Sequence, residues 1–234
     1  MPSKNRIVPV SKLSVEAQAT ENLRQYVLSG AIKPGEKLTE VALADEMGVA
    51  RATLRFGLNR LAAEGLLVKT PYTSWEVRTL TADDAWELWT LRAGLEGLAV
   101  RLAAENMGPR LREKFQFAFD ELVEACNSGS SVEASEKDLG LHRTIVNSLG
   151  HSRLADQYKL VEQQVRMYIN ICNTLMGSDL PAVVDQHVPM MEALFRGDGI
   201  KAAHEAWVHN ESEGGKLVAY LQQRAKMEAA GATQ

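Results

Sequence analysis

All five histidines of the 234-residue chain, His142, His151, His187, His204 and His209, lie in its second half. An isolated imidazole is more often a satisfied polar group than a ligand, because its two ring nitrogens serve many roles near neutral pH. Asp138 and His142 give a stronger signal. Four residues apart on a helix, they leave one face a single turn from each other, a usual geometry for two ligands of one ion. His187 and His209 fall on later helical segments that can converge on that face. In the first third, Arg51 and Arg55 are also four apart, with Asn59 nearby. Such a pair either solvates an exposed helix or holds a polyanion, since the planar guanidinium binds a phosphate or reaches guanine O6 and N7 together. The sequence contains no Gly-rich phosphate loop, GxSxG elbow, HExxH pair or internal repeat.

These residues need ordered elements to hold them, and the composition supplies enough material. With 45% hydrophobic and 24% charged residues, the chain can bury one large core or two modest ones. Its charge is divided unevenly. Residues 1–80 carry 11 Lys and Arg against 8 Asp and Glu, while the remainder carries 15 against 22. A weakly basic head on an acidic body suits polyanion binding by the head alone. Cys126 and Cys172 are far apart and form no CxxC pair, so neither a disulfide framework nor a cysteine-based zinc site is expected and a reducing cytoplasm fits best. No run reaches the roughly 18 to 20 apolar residues of a membrane span, and MPSKNRIVPVSK lacks the apolar block of a signal peptide. A cytoplasmic protein without membrane contact is expected.

In the head, Ala19, Leu23, Tyr26 and Val27 recur at helical spacing between Val15 and Leu28, and Gly30 follows where a C-terminal cap belongs. Pro34-Gly35 makes a turn, Thr39 is a suitable N-cap, and Glu40 to Met47 form a short helix ended by Gly48. A third helix starts near Ala50 and buries Leu54, Leu58 and Leu61. Two short helices about a Gly-containing turn, the second bearing exposed arginines, are the plan of a helix-turn-helix. Leu66-Leu67-Val68 and Trp75-Glu76-Val77, around Pro71-Tyr72-Thr73-Ser74, read as a β wing.

Past Thr81 the pattern predicts six helices, ending near Asn106, Asn127, Leu149, Leu175, Phe195 and Met227. Thr81-Ala82-Asp83-Asp84 resembles a capping box, and Leu88, Leu91, Leu95, Leu98 and Leu102 mark the first helix's apolar stripe. Pro109 can open the second helix, and Ser130 with Glu133 caps the third. The expected fold is mainly α: residues 1–80 a winged helix-turn-helix, residues 81–234 an antiparallel all-α bundle.

The stretch LRQYVLSGAIKPGEKLTEVALADEMGVARATLRFGLNRLAAEGLL resembles the winged helix-turn-helix of GntR-type regulators. It shares their Gly-x-(Ile/Leu)-x-Pro-Gly turn, their Leu-Ala before Gly-Val and their Arg-x-x-(Leu/Val)-Arg. By position the resemblance implies phosphate and base-edge contacts at Arg51, Thr53 and Arg55, with Glu40 opening the second helix among the DNA-binding residues. Two departures stand out. Ala50 occupies a place where the family has Ser or Thr, and the wing lacks the family's Gly-Arg-Gly-like tip, leaving Lys69 as its basic residue. Recognition is therefore expected to rest on Arg51, Thr53 and Arg55 more than on the wing. Phe56-Gly57 replaces the family's common Glu-Ala at about 1 kcal/mol of helix propensity for the glycine.

Residues 81–230, through LRAGLEGLAVRLAA, DLGLHRTIVNSLGHSRL, Asp185-Gln186-His187 and Trp207-Val208-His209, resemble the C-terminal FCD ligand-binding domain of the FadR subfamily. The resemblance implies a divalent metal on Asp138, His142, His187 and His209, zinc first, nickel or manganese as alternatives. His204, about 140° around the helix from His209, is left to the surface, and His151 to a helix start. Three imidazoles and a carboxylate leave positions open for a ligand oxygen. A small carboxylate effector could bind there with an arginine at its other end; Arg92 is the first candidate and Arg166 the second. The implied function is a homodimeric transcription regulator, a repressor in the first instance, reading palindromic operator DNA under control of an organic-acid or sugar-acid metabolite. A metal-dependent enzyme acting on a small carboxylate is the competing expectation, though no general base stands out beyond the ligands.

Overall fold

A computed structural model describes residues 14–70, 74–176 and 179–231. These residues divide into two compact units that part between Arg78 and Thr79, with Leu28–Gly30 grouped with the second. The expected wing tip at Pro71, Tyr72 and Thr73 lies outside the described residues.

The first unit contains α1 (Val15–Leu28), β1 (Lys37–Thr39), α2 (Glu40–Met47), α3 (Arg51–Ala63), β2 (Leu67–Thr70) and β3 (Ser74–Val77). Ala19, Leu23 and Val27 of α1 are buried with Leu54, Leu58 and Leu61 of α3, whereas Tyr26, expected in the same stripe, is half exposed. Gly48 ends α2 in the left-handed conformation at φ 63°, and the turn that follows leads directly into α3. Thr39 and Ala50 occupy the two N-cap positions with extended backbones, but neither side chain makes a capping bond. The strands form an antiparallel sheet in the order β1-β3-β2. Leu38 and Lys69 both stand opposite Trp75, whose side chain is fully buried. The sequence reading placed only a turn before α2. At three residues, β1 is too short to show the alternation that identifies a strand, and its pairing with β3 creates it.

The second unit holds α4 (Ala82–Glu105), α5 (Pro109–Ser128), α6 (Ser131–Asn147), α7 (Ser152–Met176), α8 (Leu180–Arg196) and α9 (Gly199–Gly231). Thr81 accepts from the Asp84 backbone N–H at 3.0 Å and donates its own backbone N–H to Asp84 Oδ2 at 3.0 Å, completing the capping box. Ser130 accepts from the Glu133 N–H at the start of α6. The core joins Phe115 and Leu122 of α5, Leu141 and Ile145 of α6, Met190 and Leu194 of α8, and Ala202 and Ala206 of α9.

The buried face of α4 matches the expected one only in part, with Leu88 and Leu95 packed against the cluster of Leu139, Val161 and Val165. None of its five leucines is fully buried, and Leu91 and Leu98 are about half exposed. The buried positions are Ala85, Arg92, Ala93, Glu96, Gly97, Ala99, Val100, Ala103 and Ala104. Close packing on α9 explains the choice. A Cβ at Gly97 would sit 3.5 Å from the Ala203 carbonyl oxygen, a separation that small side chains permit and leucines do not. The seam carries Arg92 and Glu96 inward, and the site grows from those two residues. Among the described helices, none is long and apolar enough to cross a membrane.

Candidate metal centre and DNA-binding face

Asp138 and His142 leave α6 one turn apart, His187 comes from the middle of α8, and His209 from α9. Their ligand atoms all lie within 4.8 Å of one another. His142 Nε2 is 3.0 Å from His187 Nε2, and His187 Nε2 is 2.9 Å from Asp138 Oδ1. The three imidazoles are buried, with exposures of 1%, 0% and 5% for His142, His187 and His209. His204 is exposed, and His151 Nδ1 accepts from the Leu154 N–H at the start of α7.

The protonation of the cluster follows from its neighbours. His187 Nδ1 meets the Val183 carbonyl at 2.7 Å; a carbonyl only accepts, so the ring carries a proton there, and Nε2 either donates a second proton to Asp138 as imidazolium or, when neutral, turns a lone pair toward the cluster. His142 Nδ1 lies 3.1 Å from Glu96 Oε2, an ion-pair approach and not an aligned hydrogen bond. Both outer nitrogens thus face oxygens, as those of metal-bound histidines do. Burial opposes charge on Asp138, but the hydrogen bond with His187 and the nearby imidazoles hold its carboxyl well below the ordinary carboxylate range. Burial likewise opposes charge on His187, and the bond to Asp138 outweighs it, so its pKa is raised. Burial, then the two neighbouring imidazoles, hold His209 well below the usual histidine range, and its Nδ1 is buried without a partner among the described residues. A carboxylate held ionised, a neutral imidazole with an orphan nitrogen and two convergent Nε2 atoms form a donor set that fits a divalent cation.

Glu96 is the residue that sequence reasoning missed. Its carboxylate accepts from Arg92 Nε at 2.7 Å, Tyr158 Oη at 2.8 Å and Asn210 Nδ2 at 2.8 Å, beside His142. Burial opposes its charge, yet Arg92 and His142 keep it ionised well below the usual range. The i, i+4 spacing of Arg92 and Glu96 was the available signal, but that spacing is far commoner on exposed helix faces.

Arg92, Asp138, His187, His209 and Asn210 line one cavity of about 560 Å³. Arg92 is buried, and its Nη2 has no partner among the described residues. The second candidate, Arg166, pairs with Glu136 on the flank of α7 and is not among the lining residues. The structure therefore brings Arg92 to the cluster and leaves Arg166 outside.

On α3, Arg51, Ala52, Arg55, Phe56 and Asn59 form the exposed face, and Thr53 is half-buried. Arg55 donates from Nη2 to Glu40 Oε2 at 2.7 Å and from Nε to the same carboxylate. Glu40 is itself buried and accepts from Trp75 Nε1 at 3.2 Å, so it sits beneath Arg55 and not on the outer face. The hydrogen bond from Arg55 holds the Glu40 carboxyl below its ordinary pKa, with Trp75 contributing. Lys69 is exposed, with Nζ 5.5 Å above the Trp75 ring.

A helix-turn-helix with a β hairpin, followed by a helical body that holds a cavity, is the architecture of a DNA-binding transcription regulator. Residues 15–77 match the gntR family of bacterial regulatory proteins, and residues 87–212 match the FCD domain; the chain belongs to the GntR family. It is 25% identical over 202 residues to a probable D-xylose utilization operon transcriptional repressor of Paenarthrobacter nicotinovorans, covering 86% of this chain and 87% of that one. It is 33% identical over 136 residues to the Nta operon transcriptional regulator of Aminobacter aminovorans, covering 57% and 63%. The solved structure of E. coli McbR/YncC shares the fold with a TM-score of 0.75 at 20% identity, over 92% of this chain and all of that one. The family places the chain among transcription regulators and not among metal-dependent enzymes.

Proposed function

We propose that this regulator is a homodimeric repressor whose affinity for a palindromic operator is set by an organic-acid or sugar-acid metabolite bound beside a divalent metal ion. The observation that carries the reading is the 3.0 Å approach of His142 Nε2 and His187 Nε2 next to the Asp138 carboxylate, in the wall of a cavity that also holds Arg92. Two ring nitrogens at that separation share either a proton or a cation, and a divalent ion would engage both together with the carboxylate. Asp138, His142, His187 and His209 would hold that ion, with zinc favoured by the imidazole-rich donor set and nickel or manganese next. When bound, the metal supplies a Lewis-acidic position for a carboxylate oxygen. Arg92 supplies the opposite charge contact, and Glu96 fixes its direction.

In the head, Arg51, Thr53 and Arg55 contact the operator, and Glu40 acts through Arg55 by holding the guanidinium in one orientation before DNA arrives. Lys69 adds a phosphate contact from the hairpin. Residues 1–80 bind DNA, and residues 81–234 bind the effector and carry the dimer contacts. The test is a gel-shift titration on the protein's own promoter region, with zinc-loaded and chelator-treated protein, each with and without a panel of acids. Acid-dependent binding confined to the metal-loaded protein is expected. A response that survives chelation overturns the metal-dependent reading, and binding indifferent to every acid overturns the effector.

A further inference from the structure

The metal cluster and Arg92 account for only part of the cavity. At about 560 Å³, it falls within the roughly 300–1,000 Å³ that accommodates drug-sized ligands, several times what a two- or three-carbon acid fills. One and two turns before Arg92, Ala85 and Leu88 of α4 line it together with Trp89, and Val165 and Ile169 of α7 and Leu217 of α9 add further apolar wall. Leu88, Val165 and Ile169 belong to one apolar cluster with Leu139. The lining does contain polar groups, among them Ser131, Ser135, Tyr168 and Gln186. Of its other charges, Lys216 and Glu213 pair with each other at 2.8 Å and are half exposed, and Asp179 is exposed at the start of α8, which places all three at the solvent-facing rim.

Trp89 is a fixed wall. A Cβ at Gly214 would lie 2.2 Å from Trp89 Cγ, so α9 carries a helix-weakening glycine where the indole needs the space. Trp207 meets the ring edge-on, with centroids 5.5 Å apart. The Trp89 Nε1–H is buried without an acceptor among the described residues, which is rare for a buried donor.

We propose that this apolar limb binds the alkyl or aryl body of an amphiphilic monocarboxylate, its acid group directed to Arg92 and the metal cluster. The inference rests on the acid-responsive reading above and narrows it. A polyhydroxylated acid laid against Leu88, Val165 and Ile169 would lose water from its hydroxyls without gaining partners. Methylenes or an aryl ring gain on entering the same space, and a carbonyl or ether oxygen on that body would satisfy Trp89 Nε1.

The test is calorimetric titration of the zinc-loaded full chain with straight-chain monocarboxylates from acetate to octanoate, with phenylpropanoate and with gluconate. Affinity should tighten about fourfold per added methylene until the limb is filled, the equivalent of about 0.8 kcal/mol per buried CH₂. Gluconate should bind more weakly than hexanoate. Val165→Thr, of similar shape but polar, should reduce the gain per methylene. Affinity that is flat with chain length, or gluconate binding tighter than hexanoate, overturns the apolar limb and leaves the acid-responsive reading standing. If no acid binds while zinc does, both fall.

Discussion

Glu40 satisfies two neighbours at once, the buried Trp75 indole and the outward-facing Arg55. Removing its carboxylate strands the indole N–H, so Glu40→Ala should lower stability by about 1 to 3 kcal/mol in urea unfolding, the usual cost of a buried donor without a partner. Glu40→Gln keeps an acceptor for Trp75 and deletes only the charge, which separates the two roles. Because the Glu40 pKa is lowered by Arg55, its charge contributes stability that is complete above the ordinary carboxylate range. That contribution disappears as pH falls through the lowered value. The unfolding midpoints of wild type and Glu40→Gln should therefore differ by a constant amount near neutrality and converge on acidification. Glu96 occupies a more demanding position, since both it and Arg92 are buried. Glu96→Ala leaves a buried guanidinium without its carboxylate, and about 3 to 5 kcal/mol should be lost in the same measurement.

At the scale of elements, α3 shows what a single position can impose. A Cβ at Gly57 would come within 3.2 Å of Thr20 Oγ1 and 3.4 Å of Thr20 Cα, and Thr20 is pinned by its hydroxyl's bond to the Glu16 carbonyl. The glycine that costs α3 about 1 kcal/mol of helix propensity therefore lets α1 approach it. Gly57→Ala should destabilise despite the better propensity, as read by a lower melting temperature. Ala50→Ser should act oppositely. The N-cap backbone is already extended, at φ −63° and ψ 144°, so a serine hydroxyl there should add about 1 kcal/mol, measured by urea unfolding. These two positions also mark what was legible in the sequence. The missing cap at Ala50 could be read, because capping is local chemistry. The reason for Gly57 could not, because it lies 37 residues away in Thr20. The same division holds for the second unit. Caps and breakers such as Thr81, Pro109 and Ser130 fixed where its helices begin, while the leucine stripe of α4 was right only in part: Leu88 and Leu95 pack inward, but Leu91 and Leu98 are exposed, because helix-to-helix distance, and not apolar content, decides which residues meet α9. In the metal cluster, Asp138 and His142 were linked by spacing within one helix. His187 and His209 were chosen through the family resemblance, and Glu96, which orders the set from behind, carried no signal stronger than a common ion-pair spacing.

For the whole molecule, the proposed control requires that effector and operator each favour the same or opposite states of one equilibrium, and this fixes a quantitative relation between them. If an acid changes operator affinity by some factor, operator DNA must change acid affinity by the same factor, because both describe one closed cycle of binding. Coupling of about 1 to 3 kcal/mol corresponds to a shift of roughly 5- to 150-fold. Metal binding enters the same cycle. Zinc that binds only the folded second unit should raise its stability by about 2.7 kcal/mol at a hundredfold excess over the dissociation constant, and scanning calorimetry should show the rise lost in His187→Ala. The decisive comparison uses zinc-loaded wild type, titrating operator with and without saturating acid, then acid with and without saturating operator. Equal factors are expected from the two titrations. In His187→Ala, which retains Arg51 and Arg55 untouched, the operator affinity without acid should stay within a few-fold of wild type while the coupling factor falls to one. A variant that keeps the coupling would mean that the acid communicates with the operator without the metal cluster.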